Sequence, residues 1–474
     1  MVGKIKYVFI SFGVALLLFG CSKERPSYTE IPKIAPTMTI NFDNKINQIK
    51  KVNGINNGPK SHSIINNGEV EWSLDMTEAY KELEIPYVRT HDSEYPDGGD
   101  YFIDIHCVFP NMSRDPDDES AYSFAGTDEY VSNIRESGAE VFYRLGESIA
   151  PTEAEVTYQN PPEDYEKWAS ICDHIIAHYN EGWNNGFNYN IQYWEIWNEP
   201  DTPRQWTGDM DEYYELYRIT ARYLKDNHPD IKVGGGAFAS AEKDVLIAFL
   251  EGINNDGRST PLDFISWHLY TDEPYRFTYR ANLARTLLDE YGYDNAETFC
   301  DEWNYVDAGE SLETTWNRIQ SSDIAAFNAA CLITLQNCNV DGAMYYDGSF
   351  TGGIASWCGL YDADGKILPG YYAFWAFNQI KEMSNQVEIT SLRNPYEYGI
   401  YACAVSGETE MILISNISDN IVRFKLKSNS KKTNVSTFVV NGDYPLGVES
   451  SEQTNFDETM IEMRPWEMRL IKLN

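Results

Sequence analysis

Short apolar runs alternate with longer stretches of helical period along most of this chain. The runs Val52–Ile55, Tyr87–Thr90, Val141–Leu145, Tyr193–Trp197, Ile231–Gly235, Phe264–His268, Thr298–Asp301 and Ala343–Tyr346 have the length and composition of buried strands. Between them the apolar period changes to that of a helix. Asp164–His178 sets Trp168, Ile171, Cys172, Ile175 and the following Tyr179 along one stripe, and Asp211–Lys225 does the same with Tyr213, Leu216, Tyr217 and Leu224 before Pro229 stops it. Further helices are expected at 75–83, 127–137, 241–253, 274–290, 311–337 and 370–383. Eight strands, each followed by a helix, is the count that closes a (β/α)8 TIM barrel. A doubly wound open sheet would carry a Gly-rich phosphate turn after its first strand. Val233-Gly234-Gly235-Gly236 falls at the fifth strand without that spacing, and suits close backbone packing near a barrel mouth.

The pattern differs at both ends. Ile34–Phe42 alternates, with Ile34, Met38, Ile40 and Phe42 on one face, yet has no hairpin partner nearby. After Met383 the helical period stops: Val422, Phe424 and Leu426 alternate with Arg423, Lys425 and Lys427, and Met411–Ser415, Ser436–Val440 and Met468–Lys472 are further strands between turn residues. The expected organisation is therefore α/β: a barrel over 48–384, an accessory antiparallel β-sandwich over 385–474, and an N-terminal strand within 34–47 that joins the sandwich.

Lys4 and Lys6 precede an apolar run from Tyr7 to Phe19, too short to span a membrane and of the length of a secretory h-region. The run ends Leu18-Phe19-Gly20-Cys21, which resembles the lipobox of bacterial lipoproteins. That resemblance implies a signal peptide over 1–20, lipidation of Cys21, a solvated tether over 21–33, and a location on the bacterial cell envelope, at the periplasmic face or the outer-membrane surface, held by the lipid alone.

Acidic residues outnumber basic ones 73 to 37, a formal charge of -36. That field excludes nucleic acid as a partner and disfavours polyanionic glycans. The seven cysteines other than Cys21 are scattered without a C-x-x-C pair, so neither a disulfide framework nor a zinc site is indicated. His174 and His178 have metal-compatible i, i+4 spacing but no third ligand, and Asp115, Asp117, Asp118 and Glu119 read as a solvated turn. No metal and no cofactor is implied.

The chemistry gathers in two strand ends. Trp194-Glu195-Ile196-Trp197-Asn198-Glu199-Pro200-Asp201 runs from the fourth strand into an Asn-Glu-Pro turn that presents Glu199, and Phe299-Cys300-Asp301-Glu302-Trp303-Asn304 delivers Glu302 at the end of the seventh. Active-site groups of a TIM barrel sit at the C-terminal strand ends, and strands four and seven face each other across the barrel. Together with W-H-L-Y in the sixth strand, V-N-G-I-N-N-G-P in the first, Y-V-R-T-H in the second and V-G-G-G in the fifth, these motifs resemble the retaining glycoside hydrolases of clan A, and within it family 39, that of β-xylosidases and α-L-iduronidase. The resemblance covers nearly all of residues 34–474. It implies that Glu199 is the general acid/base, Glu302 the nucleophile, Asn198 the reader of the sugar 2-hydroxyl, and His268 and Tyr270 the flanks of the nucleophile. A retaining mechanism holds its two carboxyls about 5 to 5.5 Å apart.

Arg89 and His91 share a strand face. In the family the matching Arg lies beneath the carboxylates and the matching His contacts sugar hydroxyls; Arg89 is equally readable as a buried ion-pair partner without substrate contact. Trp206, Trp303 and Trp357 follow strands four, seven and eight and are candidate sugar platforms, though loop tryptophans also pin loops. Asp347 is a candidate for a distal hydroxyl. After His268 come Leu269, Tyr270, Thr271, Asp272 and Glu273, the wrong sign for a uronate, although Arg276 and Arg280 are near in sequence. The expectation is a neutral-sugar glycosidase acting on an oligosaccharide or polysaccharide, most like a β-xylosidase. The alternatives are an inactive glycan-binding surface lipoprotein and another clan A endo-glycanase. Which sugar, exo or endo action, the role of the long loop 92–127 and the oligomeric state are left open at this level.

Overall fold

The computed structural model describes residues 36–66, 69–91, 102–149, 158–348, 357–362, 364–383, 385–390 and 399–474. The signal-peptide and lipidation readings, Cys21 included, lie outside the described residues, as does most of the tether.

Eight parallel strands close into a barrel: Gly54–Asn56, Tyr87–Thr90, Glu140–Leu145, Tyr193–Ile196, Lys232–Phe238, Phe264–Tyr270, Glu297–Asn304 and Gly342–Tyr345. Each overlaps one of the apolar runs. Both faces of these strands are covered, the outer by helices and the inner by the barrel's own side chains, which is why the runs are continuous rather than alternating. At the N-terminal end the interior is plugged by Tyr87, Phe142, Tyr193, Phe264, Phe299 and Met344, leaving the opposite end to carry chemistry. The three glycines of the fifth strand behave as expected of close packing: a Cβ on Gly234 would stand 2.2 Å from the Phe264 carbonyl oxygen, and one on Gly235 2.9 Å from that of Ile196.

Two differences from the sequence reading have local causes. The expected helix 311–337 is two helices, Leu312–Ile319 and Asp323–Asn337, because Ser311 caps the first and the chain turns at Gln320–Ser322. A hairpin of Ser61–Asn66 and Glu69–Asp75 follows the first barrel strand; its first strand has no clean alternation in sequence.

The C-terminal region is a nine-stranded mixed sheet that folds over on itself. The N-terminal strand Thr37–Gln48 lies inside it, antiparallel to Asn385–Thr390 and parallel to Val422–Ser428. Its Met38, Ile40 and Phe42 enter the same apolar core as Phe424, Leu426 and Ile412. The other face packs on the barrel through Asp323–Asn337, which is buried from Ile324 to Gln336. A helix apolar all round is one covered on all sides. Ser415 Oγ donates to the Ala326 carbonyl at 2.6 Å, and the Arg318 guanidinium lies 4.6 Å from the Trp466 ring and 5.5 Å from that of Tyr305. Among the described residues no helix is long and apolar enough to cross a membrane.

Candidate active site

The fourth strand does not simply end at Glu199. Its last residues take left-handed conformations, with φ of 72° at Trp197 and 42° at Glu199, and Ala237 on the neighbouring strand has φ 39°. Non-glycine residues pay about 1–3 kcal/mol each for such conformations, so the surroundings must enforce them. They do so through backbone bonds from Trp197 N to the Leu145 carbonyl and from Glu199 N to the Ala237 carbonyl, at 2.7 and 3.0 Å. Asp201 adds two more, accepting from the amides of Ala239 and Ser240. The Asn-Glu-Pro turn is thereby clamped to strands three and five.

Glu302 arrives through a different device. Cys300 pairs with Trp267 and Glu302 with His268, so Asp301 is an extra residue in the seventh strand. In regular strand geometry neighbours point to opposite faces; this bulge turns both Asp301 and Glu302 inward. Tyr270 donates to Glu302 Oε1 at 2.5 Å, and Arg89 Nη1 donates to Oε2 at 3.3 Å. Burial, with Glu302 beside it, pushes the Tyr270 phenol well up, so it keeps its proton and serves as a donor.

His268 joins the two glutamates. Its Nδ1 is 2.8 Å from Glu199 Oε1 and 3.6 Å from Glu302 Oε2. Glu199, His268 and Glu302 each present an atom within 4.8 Å of the others. Burial depresses the imidazole to about 4, so at neutral pH it is a neutral donor. Acid therefore costs stability as pH falls from the ordinary histidine value of 6.5 toward 4, where the unfolded chain takes up a proton that the folded ring refuses.

Beneath them Arg89 is fully buried and donates through all three nitrogens. Nε reaches Glu195 at 2.8 Å and Asp301 at 3.1 Å, Nη1 reaches Asn56 at 3.0 Å as well as Glu302, and Nη2 reaches Asn198 at 2.6 Å. Burial alone would lower this guanidinium, but its carboxylate neighbours outweigh that and hold it charged. Arg89 has no exposed surface and all three of its nitrogens are taken up by protein groups, an arrangement that fits its reading as a buried ion-pair partner. It also orients Asn198: because Arg only donates, the amide oxygen must face it, and Nδ2, which has no partner among the described residues, is turned away.

The other candidates divide. His91 Nε2 stands 3.7 Å from Glu302 Oε2, and its ring is 6.2 Å from that of Tyr346. Trp357 meets the Tyr270 ring edge-on at 5.4 Å, and its carbonyl accepts from Asn304. Asp347 is buried beside the same wall, with Asn57 Nδ2 3.5 Å from its Oδ2. Trp303 is not brought to the site. It follows the inward Glu302, points outward, and packs between Phe277, Tyr345 and Phe374 with no exposed surface. Trp206 likewise pins its loop, donating to the Asp209 carbonyl and packing on Trp197.

Sequence reading missed Glu195, Asp301, Asn56 and Ser266 as site components. The available signal was a charged residue inside an apolar strand, at Glu195 and Asp301, which demands a buried partner. A second cluster, Asp104, His106 and Glu147, lies beyond the third strand. Its oxygens are occupied: Asp104 accepts from Arg144 and twice from Ser148, and Glu147 accepts from the amide of His106 and bonds its ring. His174 and His178 are engaged with Ser170 and Asp117, and with Trp183 and Asp128.

The family model described as "Glycosyl hydrolases family 39" matches residues 48–321, more than half of the chain. The chain is 25% identical over 378 residues to a beta-xylosidase of Caldicellulosiruptor saccharolyticus, covering 73% of this chain and 71% of that one. It is 28% identical over 204 residues to a beta-xylosidase of Geobacillus stearothermophilus, covering 41% of this chain and 38% of the relative. Among solved structures, a glucosidase from Croceicoccus marinus superposes with a TM-score of 0.73 at 22% identity, covering 94% of this chain and 99% of that one; this likeness speaks for the fold.

Proposed function

The chain belongs to glycosyl hydrolases family 39, and from that premise we propose that it is a retaining, β-xylosidase-like glycosidase of neutral sugars with Glu302 as nucleophile and Glu199 as acid/base. The observation that carries the reading is the placement of the two carboxyls on one imidazole, with an oxygen of each within 4.8 Å. An inverting pair needs about 6.5–9.5 Å to admit a water between them.

In the first step a Glu302 oxygen forms a bond to the anomeric carbon while the glycosidic C–O bond breaks and Glu199 gives its proton to the departing oxygen. In the second, Glu199 takes a proton from water, whose oxygen attacks the anomeric carbon and frees Glu302. Tyr270 and Arg89 hold the attacking carboxylate in place, and the Asn198 amide donates toward the 2-hydroxyl. A neutral sugar is supported by the two cations nearest in sequence being spent elsewhere: Arg276 pairs with Glu273, and Arg280 with Glu242 and the Ala241 carbonyl. The curated relatives named beta-xylosidase point to xylose.

The test is trapping with a panel of fluorinated glycosyl fluorides followed by peptide mapping. The xylosyl reagent is expected to label Glu302; a label on any other residue overturns the assignment, and labelling by another sugar alone redirects the specificity. The Lys4, Lys6 and Leu18–Cys21 pattern further supports a lipid anchor on Cys21. Replacing Cys21 by Ser is expected to abolish fatty-acid labelling and release the enzyme from membranes, whereas unchanged sedimentation with membranes would contradict the anchor.

A further inference from the structure

Three carboxyls converge on one guanidinium under the barrel mouth. Glu195 on strand four, with Asp301 and Glu302 on strand seven, all lie within 3.3 Å of Arg89 nitrogens, and Glu195 and Asp301 have no exposure at all. The groups facing them are Arg89 and His91 from strand two, and Ser266, His268 and Tyr270 from strand six. Among the described residues Arg89 is the one fixed cation here, since His268 is neutral. Three buried negative charges around one fixed positive charge is an arrangement that desolvation disfavours, and a proton on one carboxyl relieves it.

The donors decide which. Glu195 accepts from Arg89 Nε and, at 2.6 Å, from Ser266 Oγ. Glu302 accepts from Tyr270 and Arg89 Nη1. Asp301 has only the off-axis approach of the Arg89 Nε–H already given to Glu195, and neither of its oxygens receives a hydrogen bond. His268 Nε2 is too distant at 3.6 Å.

We propose that Asp301 is a positioning residue that stays protonated and donates its hydrogen to Glu195, leaving the charge of Arg89 to Glu195 and Glu302 and so keeping Glu302 ionised. The inference rests on the reading of Glu302 as nucleophile. The directions of the acidities agree: burial and the adjoining Glu195 raise Asp301 well above the carboxylate range, while Glu195, despite the burial that opposes it, is held low by Arg89 and by the hydrogen bond with Asp301. The bulge gives this device its place: Phe299 points into the barrel, so Asp301 falls inward by alternation, and the irregularity after Cys300 brings Glu302 in beside it.

Two measurements test it. Infrared spectroscopy of the whole enzyme at neutral pH is expected to show a protonated-carboxyl stretch that shifts with isotope-labelled aspartate. A glutamate-sensitive component is expected as well, from the proton of Glu199; the absence of any component that follows labelled aspartate overturns the proposal. In kinetics, Asp301→Asn keeps a neutral donor to Glu195 and removes no charge, so the acid limb of kcat/KM stays in place with a loss of less than about tenfold. Asp301→Leu cannot donate and is expected to lose about a hundredfold. Glu195→Gln removes a real negative charge and moves the limb to lower pH. An acid limb displaced downward by Asp301→Asn would show that Asp301 is ionised. The infrared arm uses no turnover and needs no variant, so its failure is separable from a failure of the trapping experiment on Glu302.

Discussion

Glu302→Ala is expected to lower turnover by roughly 10⁴-fold or more, the scale seen when a covalent nucleophile is removed. Azide should restore part of the rate, entering the space the carboxylate leaves and attacking from the same face, so the glycosyl azide forms with inverted configuration. Glu199→Ala is the contrasting case. Loss of an acid/base group costs about 10²–10⁴-fold, less for leaving groups that need no proton, and azide then intercepts the glycosyl-enzyme to give retained configuration. Product stereochemistry read by NMR distinguishes the two roles. Exchanged outcomes would swap the assignments, and two inverted products would remove the covalent intermediate altogether.

The second large effect is on stability. Arg89→Met is expected to cost about 3–5 kcal/mol in urea unfolding, because the carboxyls around it would be buried without their cation. The sign of its pH dependence is fixed by linkage. Carboxyls that lose Arg89 bind protons more tightly folded than unfolded, so the deficit shrinks as pH falls and grows as pH rises. A deficit that is flat with pH would mean that packing rather than charge is lost. Activity should fall as well, since Asn198 and Glu302 share the guanidinium as donor.

These effects depend on groups of unequal legibility. Glu199 and Asn198 could be read from W-E-I-W-N-E-P-D because a strand followed by a turn is a local signal, and Glu302 because the same pattern recurs at the seventh strand. The first strand's Asn56 and Asn57 lay within a quoted motif but without a role, since their partners Arg89 and Asp347 are far away in sequence. Trp303 misled: adjacency to a catalytic candidate suggested a platform, whereas the residue following an inward one points outward.

By itself the sequence determined the eight strands, the helices that separate them, the apolar face of the N-terminal strand and the two glutamates at opposed strand ends. All of these are written in short-range periodicity and turn chemistry, which neighbouring residues impose on one another. Only the tertiary structure decided that Asp301 points inward beside Glu302, that one guanidinium holds Glu195, Asp301, Glu302 and Asn198, and that a single imidazole joins Glu199 to Glu302. A bulge exists only relative to the strand it pairs with, and a buried charge is tolerable only in sight of its partner; both are settled when distant strands come into register.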